Sequence, residues 1–243
     1  MRTPARLALF SQMDTTFSLR PIATLRTPFA EKFGIPRQSG LVEEAVGRVE
    51  FHDEFNRADF VRGLEAFSHI WLVTVFHQSP PWDGKATVRP PRLGGNERLG
   101  VFATRSQNRP NPIGLSLVRL VKIETEPRLV LHVAGVDAVD ETPVLDIKPY
   151  LPWCESRGDA RADWAGAAPT LREADQVMIP TTIADALGKD EPLIRQLLRL
   201  EPQPAYQETA ERIYGMTVAG WNVKWRIDDD RVVVLAAKRT ENA

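Results

Sequence analysis

The chain is almost without cysteine: Cys154 stands alone among 243 residues. A single thiol excludes an intrachain disulfide framework and fits a reducing compartment, so the expected location is the cytoplasm. Long apolar runs are missing too. No stretch approaches 18 consecutive apolar residues, which argues against a membrane-spanning helix. The run from Leu7 to Phe10, behind Arg2 and Arg6, is too short for the core of a signal peptide. Glycine-rich phosphate loops are absent, with no G-x-G-x-x-G, no Walker loop and no G-x-S-x-G nucleophile turn. Histidine is scarce. His52, His69, His77 and His132 show no H-x-x-x-H spacing, and no C-x-x-C exists. His69 and His77 share a strand parity, but eight extended residues hold them about 26 Å apart. No metal centre is expected.

What is present describes a globular protein. Apolar residues make up 43% and charged residues 26% of the chain, which excludes wholesale disorder. The length suits one large domain, or a domain with a small companion. Basic and acidic side chains nearly cancel, 31 against 32, yet they are unevenly placed. Residues 1–150 hold 19 basic and 17 acidic side chains, net +2, and the remainder is net −3. Between residues 85 and 109 stand Lys85, Arg89, Arg92, Arg98, Arg105 and Arg109 against Glu97 alone. Such a run is either a solvated loop face or a grip for phosphates, which arginine holds through a planar fork. Interleaved prolines and glycines make the region loop-rich and stiff.

Residues 17–25 and 46–51 are short strand candidates. Residues 67–78 (FSHIWLVTVFHQ) are β-branched and aromatic without Gly or Pro, which predicts a strand apolar on both faces and buried on both sides. Residues 115–124 and 128–136 predict an antiparallel pair, and 57–64 a short helix. Alternating βαβ units are absent, against a Rossmann-type sheet. Residues 152–169 read as a linker or irregular crossover. Beyond them, 181–187 and 191–200 have helical spacing, with Leu193, Leu197 and Leu200 on one face. Residues 221–227 (WNVKWRI) alternate, and with 231–237 predict a hairpin. The expected architecture is therefore mainly β, either a packed barrel or a central sheet, followed by a smaller α+β unit.

Two polar strings carry candidate chemistry. TRSQNRPNPIG (104–114) and VDAVDETPVLDIKPY (136–150) each suit either an ordered corner or a functional site. In the second, Asp137, Asp140, Glu141 and Asp146 sit among apolar residues, where carboxylates must be hydrogen-bonded or raise their pKa. Taken with EKFGIPRQSGL (31–41), LEAFSHIWLVTVFHQ (64–78) and VRPPRLGG (88–95), these strings resemble the TsaA-like family. EPQPAY (201–206) and WNVKWRI resemble the extra C-terminal domain of its bacterial members.

That resemblance implies a methyltransferase built on an antiparallel β-barrel, over residues 1–165 here, with the smaller α+β unit over 166–243. Its cofactor is S-adenosyl-L-methionine (SAM), bound at the barrel near the interface of a homodimer. Its acceptor is tRNA, at the adenosine 3′ of the anticodon that already carries an N6-threonylcarbamoyl group. Carried onto matching positions, the implied cofactor contacts are Pro36, Arg37, Gln38, Phe76, His77, Arg105, Leu115, Val136, Asp137, Ala138 and Val139. The implied RNA contacts are Arg89, Arg92, Arg98, Arg109, Asn111 and Tyr206, and the base candidates are His77 and Asp140. Trp221 and Trp225 suit either base stacking or the core of the small domain, the core being favoured. Two departures stand out: Glu141 occupies a position where the family's turn has glycine, and Asn108 one where an aromatic is common. The rival readings are a non-catalytic RNA-binding barrel and a SAM-dependent methyltransferase with a small-molecule or protein acceptor.

Overall fold

The computed structural model describes residues 16–93, 97–202 and 212–240. Strands β1 (Ala23–Arg26), β2 (Val46–Phe51) and β3 (His69–Val75) come first. A two-stranded arm follows, β4 (Thr87–Val88) with β5 (Leu99–Gly100). Then come β6 (Ile113–Glu124), β7 (Val130–Ala134) and β8 (Thr142–Pro149). The long strands close in the order β1–β2–β7–β6–β3–β8, every pairing antiparallel, and β8 returns to β1. Closure leaves no unpaired edge. Period-two alternation explains the filling: Leu25, Val49, Ile70, Leu72, Val118, Leu131 and Val144 point inward and are fully buried. Truncating one of them, Leu72 for instance, would cost about 2–5 kcal/mol.

Several expectations need correction. The strand over 67–78 is confined to β3 and is buried on one face only. Ile70, Leu72 and Thr74 line the interior, whereas His69, Trp71, Val73 and Val75 lie half-buried outside, because the barrel wall is one sheet thick. Of residues 17–25 only the end joins the sheet; Phe17 is 81% exposed, and Pro21 offers no donor to a ladder. The helix over 57–64 is a pair of 3-10 turns, Ala58–Val61 and Leu64–Ala66, with Gly63 between them at φ 88°. The antiparallel pair and the 46–51 strand are as expected.

A short α1 (Pro152–Glu155) follows the barrel, and the C-terminal part adds β9 (Val177–Met178), α2 (Thr181–Leu187) and α3 (Glu191–Arg199). The sheet is completed by β10 (Tyr214–Val218), β11 (Trp221–Asp228) and β12 (Arg231–Arg239). The expected hairpin is β11–β12, turning through Asp229 and Asp230 at φ 44° and 60°, a left-handed pair that a two-residue turn demands. Strand β10 is not legible in the sequence, since its YGMTV is short and holds a glycine. Trp225 is wholly buried and Trp221 nearly so, which places both in the core, as favoured. Loop 27–35, after β1, joins the two parts. Ala219 donates its N–H to the Pro28 carbonyl at 2.7 Å, Thr217 its own to Glu31 Oε1 at 2.7 Å, and Phe33 stacks on Trp225 at 6.2 Å.

Glu141 takes φ 64°, so the turn keeps the left-handed geometry that glycine would occupy without penalty. The carboxylate is held by Arg26 at 2.7 Å, and the same guanidinium lies 3.7 Å from Asp140 and 3.4 Å from Glu50. An exposed ion pair contributes at most about 1 kcal/mol, no more than the usual cost of the left-handed backbone. Glu141→Gly should therefore melt no lower than the wild-type chain. Glu141→Ala, which keeps the strain and loses the pair, should melt below Glu141→Gly by about 2–4 °C per kcal/mol in a thermal scan.

Candidate active site

Glycine and small polar side chains shape one end of the barrel. Residues 36–40 run from loop 27–35 toward β2 and dock on the β7–β8 connection, where the Gly40 N–H reaches the Gly135 carbonyl at 2.9 Å. Gly135 has φ 80°, and a Cβ there would stand 3.0 Å from the Gly40 Cα. Only glycine permits that approach. Ser39 Oγ accepts the Leu117 N–H at 3.0 Å, tying the loop to β6. On β6 the inward parity is Gly114, Ser116, Val118. Ser116 is buried and donates its hydroxyl to Asp137 Oδ1 at 2.6 Å. A Cβ on Gly114 would meet Thr74 Oγ1 at 2.5 Å and the Phe76 ring at 3.3 Å, so glycine makes room for both.

Two opposite charges face this end. Arg105 donates to Gln38 Oε1 at 2.5 Å. Burial pushes the Asp137 carboxyl above its ordinary value, against the opposing pull of the Ser116 hydroxyl, the Ser39 backbone and the Arg105 charge. A carboxylate and a guanidinium beside an aromatic ring fit SAM, which combines a cationic sulfonium, an amino-acid zwitterion and a planar base.

The structure thus gathers Gln38, Phe76, Arg105 and Asp137 around one barrel end, with Pro36, Arg37 and Val136 in the same connected segments. Leu115 lies on β6 with its side chain facing outward, 54% exposed. The Ala138 and Val139 carbonyls accept hydroxyls of Thr27 and Thr142 at 2.9 and 2.7 Å and so hold the turn. Asp140 lies on the β1 side of that turn, accepting the Thr27 N–H at 2.9 Å. His77 is exposed, and among the described residues its ring has no hydrogen bond. Two open hollows, of about 370 and 420 Å³, lie beside Val61–Ile123 and Thr24–Arg128 and do not involve this group.

The basic run forms the arm that carries β4 and β5. Arg89 and Arg98 are exposed, Arg92 donates to the Ala167 carbonyl, and Arg109 reaches the Thr104 carbonyl at 3.5 Å. Among the described residues none of these four, nor Arg105, has an acidic partner within 4 Å. Asn111 is exposed, its carbonyl accepting the Ile113 N–H at 2.7 Å. Tyr206 lies outside the described residues. The 104–114 string is stapled by hydroxyls: Thr104 Oγ1 donates to the Val101 carbonyl at 2.8 Å, and Ser106 and Thr104 accept backbone N–H groups. Sequence reasoning misses Ser39 and Ser116. Ser116 does carry a signal, a hydroxyl at the inward parity of an otherwise apolar strand.

Comparison with known proteins decides the family. The family model described as tRNA-methyltransferase O N-terminal domain matches residues 24–156, and that of the TrmO C-terminal domain matches 174–240. The chain belongs to the TrmO family. It is 43% identical over 232 residues to the tRNA (adenine(37)-N6)-methyltransferase of Escherichia coli strain K12, covering 91% of this chain and 98% of that protein. The same-named protein of Eikenella corrodens is 45% identical, covering 72% of this chain and 99% of its own. The crystal structure of TrmO from Pseudomonas aeruginosa superposes with a TM-score of 0.75 at 35% identity, covering 92% of this chain and 99% of that one. In TrmO terms the barrel is the N-terminal module and the β10–β11–β12–β9 sheet belongs to the C-terminal one. Among the described residues no group of His, Cys, Asp and Glu is arranged to hold a metal ion, and no helix is long and apolar enough to cross a membrane.

Asp137 generates a pH test. A folded carboxyl with a raised pKa favours the fold below its unfolded pKa, and that stability is lost as pH rises through the folded value. Asp137→Asn should remove the loss: the variant melts higher than wild type at pH 7, by about 2–4 °C per kcal/mol recovered, and the gap closes toward pH 3.5. An Asp137→Asn melt parallel to wild type across that range would contradict the burial argument.

Proposed function

We propose that the chain is a SAM-dependent tRNA methyltransferase acting on N6 of the adenosine 3′ of the anticodon, when that base carries a threonylcarbamoyl group. The observation that carries this reading is the agreement of both family models with the grouping of Gln38, Phe76, Arg105 and Asp137 at one barrel end. Pro36, Arg37, His77, Leu115, Val136, Ala138 and Val139 would complete the cofactor contacts. When bound, SAM supplies a methyl group already activated by its positive sulfur. What remains for the protein is to hold the acceptor nitrogen in line and keep water out. That nitrogen is a weak nucleophile, because its lone pair is delocalised into the purine and the attached carbonyl. The same carbonyl acidifies its N–H, so a base would assist. Of the two candidates His77 is the freer, whereas Asp140 is engaged by Thr27 and Arg26.

Arg89, Arg92, Arg98 and Arg109 of the arm, with Asn111 and Tyr206, would bind the anticodon stem-loop, and the reaction would take place in the cytoplasm. We further infer the division into a barrel unit over 1–165 and a C-terminal unit over 166–243. We also infer a homodimer. Val73 pairs with Leu115 and Val75 with Ile113 across the outer wall, and Ile113 and Leu115 leave an apolar strip exposed there. Leu115→Glu should give a monomer by light scattering, while a dimer retained would remove that strip as the interface.

The deciding experiment supplies SAM and two tRNA pools, with and without the threonylcarbamoyl group. Methyl gain on the modified nucleoside alone, by mass spectrometry, is the expected result. No methyl with SAM binding intact would point to another acceptor, and no SAM binding would leave an RNA-binding barrel. His77→Ala should lower kcat by about 10²–10⁴ if the ring is the base. Arg89→Ala and Arg98→Ala should each reduce the salt dependence of tRNA binding by roughly 0.7–0.9 in log–log slope for every phosphate that the removed guanidinium held.

A further inference from the structure

Recognition of an anticodon loop needs more than phosphate contacts, because unpaired bases are held chiefly by stacking on aromatic side chains. Trp221 and Trp225 are closed off in the C-terminal core. Phe17, Phe60 and Trp153 are exposed but lie off the arginine arm. Phe102 is 82% exposed and Trp82 45% exposed, and both belong to the arginine arm.

We propose that Phe102, supported by Trp82, is a stacking platform for unpaired nucleobases of an RNA strand whose phosphates the arm's arginines hold. The inference rests on the RNA-binding part of the proposed function and adds a site to it. Phe102 is outside for structural reasons. It occupies the middle of a 3-10 turn, Val101–Ala103. Its neighbour Val101 is buried, donates its N–H to the Ala86 carbonyl at 2.9 Å, and accepts the Thr104 N–H and hydroxyl at 3.1 and 2.8 Å. With Val101 pinned inward, the turn presents the Phe102 ring to solvent. Trp82 is oriented by its own bond, Nε1 to the Lys85 carbonyl at 3.0 Å, one residue before Ala86. The two rings are thus tied to the same small framework.

Charge identifies the occupant. Arg98 and Arg105 flank the turn in sequence; among the described residues neither has a carboxylate within 4 Å, although the Arg105 charge is felt at Asp137. An apolar ring in such a setting suits a polyanion with π-faces, and a guanidinium can stack on a base as well. Three residues after Phe102, Arg105 reaches Gln38 at 2.5 Å, so the segment that carries the platform continues to the end of the barrel where methyl transfer is proposed.

The test measures full-length Phe102→Ala, Phe102→Tyr and Phe102→Leu against three ligands: an anticodon stem-loop, a fully paired RNA duplex of equal length, and SAM. Phe102→Ala and Phe102→Leu should weaken stem-loop binding on the order of five- to hundredfold, the range for losing one stacked base. Phe102→Tyr should bind as wild type, and duplex and SAM affinities should stay unchanged. Unchanged stem-loop affinity in Phe102→Ala, an equal loss on the duplex, a loss of SAM binding, or a change of oligomeric state would each overturn the platform. A methylation assay on the same samples separates the two ideas. Wild type that methylates tRNA no better than Phe102→Ala retains the enzyme and removes the platform. Wild type that binds the loop through Phe102 but transfers no methyl retains the platform and removes the enzyme.

Discussion

The backbone contact between Gly40 and Gly135 is the constraint on which the barrel end depends. Without side chains there, residues 36–40 lie flat against the β7–β8 connection, and Ser39 can then cap the Leu117 N–H. That docking brings Gln38 within reach of Arg105 and places the Ser39 backbone beside Asp137. A methyl group on Gly135 would press on the Gly40 backbone at 3.0–3.1 Å and push the surfaces apart, and the polar contacts, each short-ranged, would go together. Such contacts survive on a surface only when the backbone beneath them is fixed, because an exposed polar pair alone barely exceeds its own entropy cost.

The same loop is fixed from its other side by the C-terminal sheet. Pro28, Glu31 and Phe33 are held by Ala219, Thr217 and Trp225, and Met216 packs against Gly34. Residue 36 begins where this clamp stops. Lys32 completes it by donating to the Gln78 carbonyl at 2.6 Å, next to His77. The C-terminal unit is therefore a buttress for the segment leading into residues 36–40. Burial of Trp225 and Phe33 ties the stability of the sheet to the placement of that segment, since ring pairs of this kind add about 0.5–1.5 kcal/mol beyond the area they bury.

The sequence is most legible where one periodicity rules. The β11 alternation of Trp221, Val223 and Trp225, and the β6 strand, can be read from parity alone. Legibility fails where the structure answers to partners distant in the chain. Residues 17–22 look extended, yet no strand lies along them. Residues 57–64 look helical, yet Gly63 and a short span leave only 3-10 turns. At the barrel end, the motif strings name Asp137, Gln38 and Arg105 but not Ser116 or Ser39, whose importance comes from contacts 21 and 78 residues away. Phe102 is hidden for the opposite reason: an apolar residue in a loop reads as ordinary core until its exposure is known.

Net charge alone would argue against a nucleic-acid ligand, but the ion pairs leave that argument without force. Arg20, Arg26, Arg48, Arg128, Arg172 and Arg195 each sit within 4 Å of a carboxylate in the chain itself. A guanidinium already paired must break that pair, or share it, before it can bind phosphate. It therefore adds little to the counterion release that drives polyanion binding. Arg89 and Arg98 have no carboxylate within 4 Å among the described residues. A formal charge of −1 thus coexists with one arm whose positive charge is available. At physiological salt the Debye length is about 8 Å, so a phosphate on that arm responds to the nearby arginines rather than to the acidic excess of the C-terminal unit.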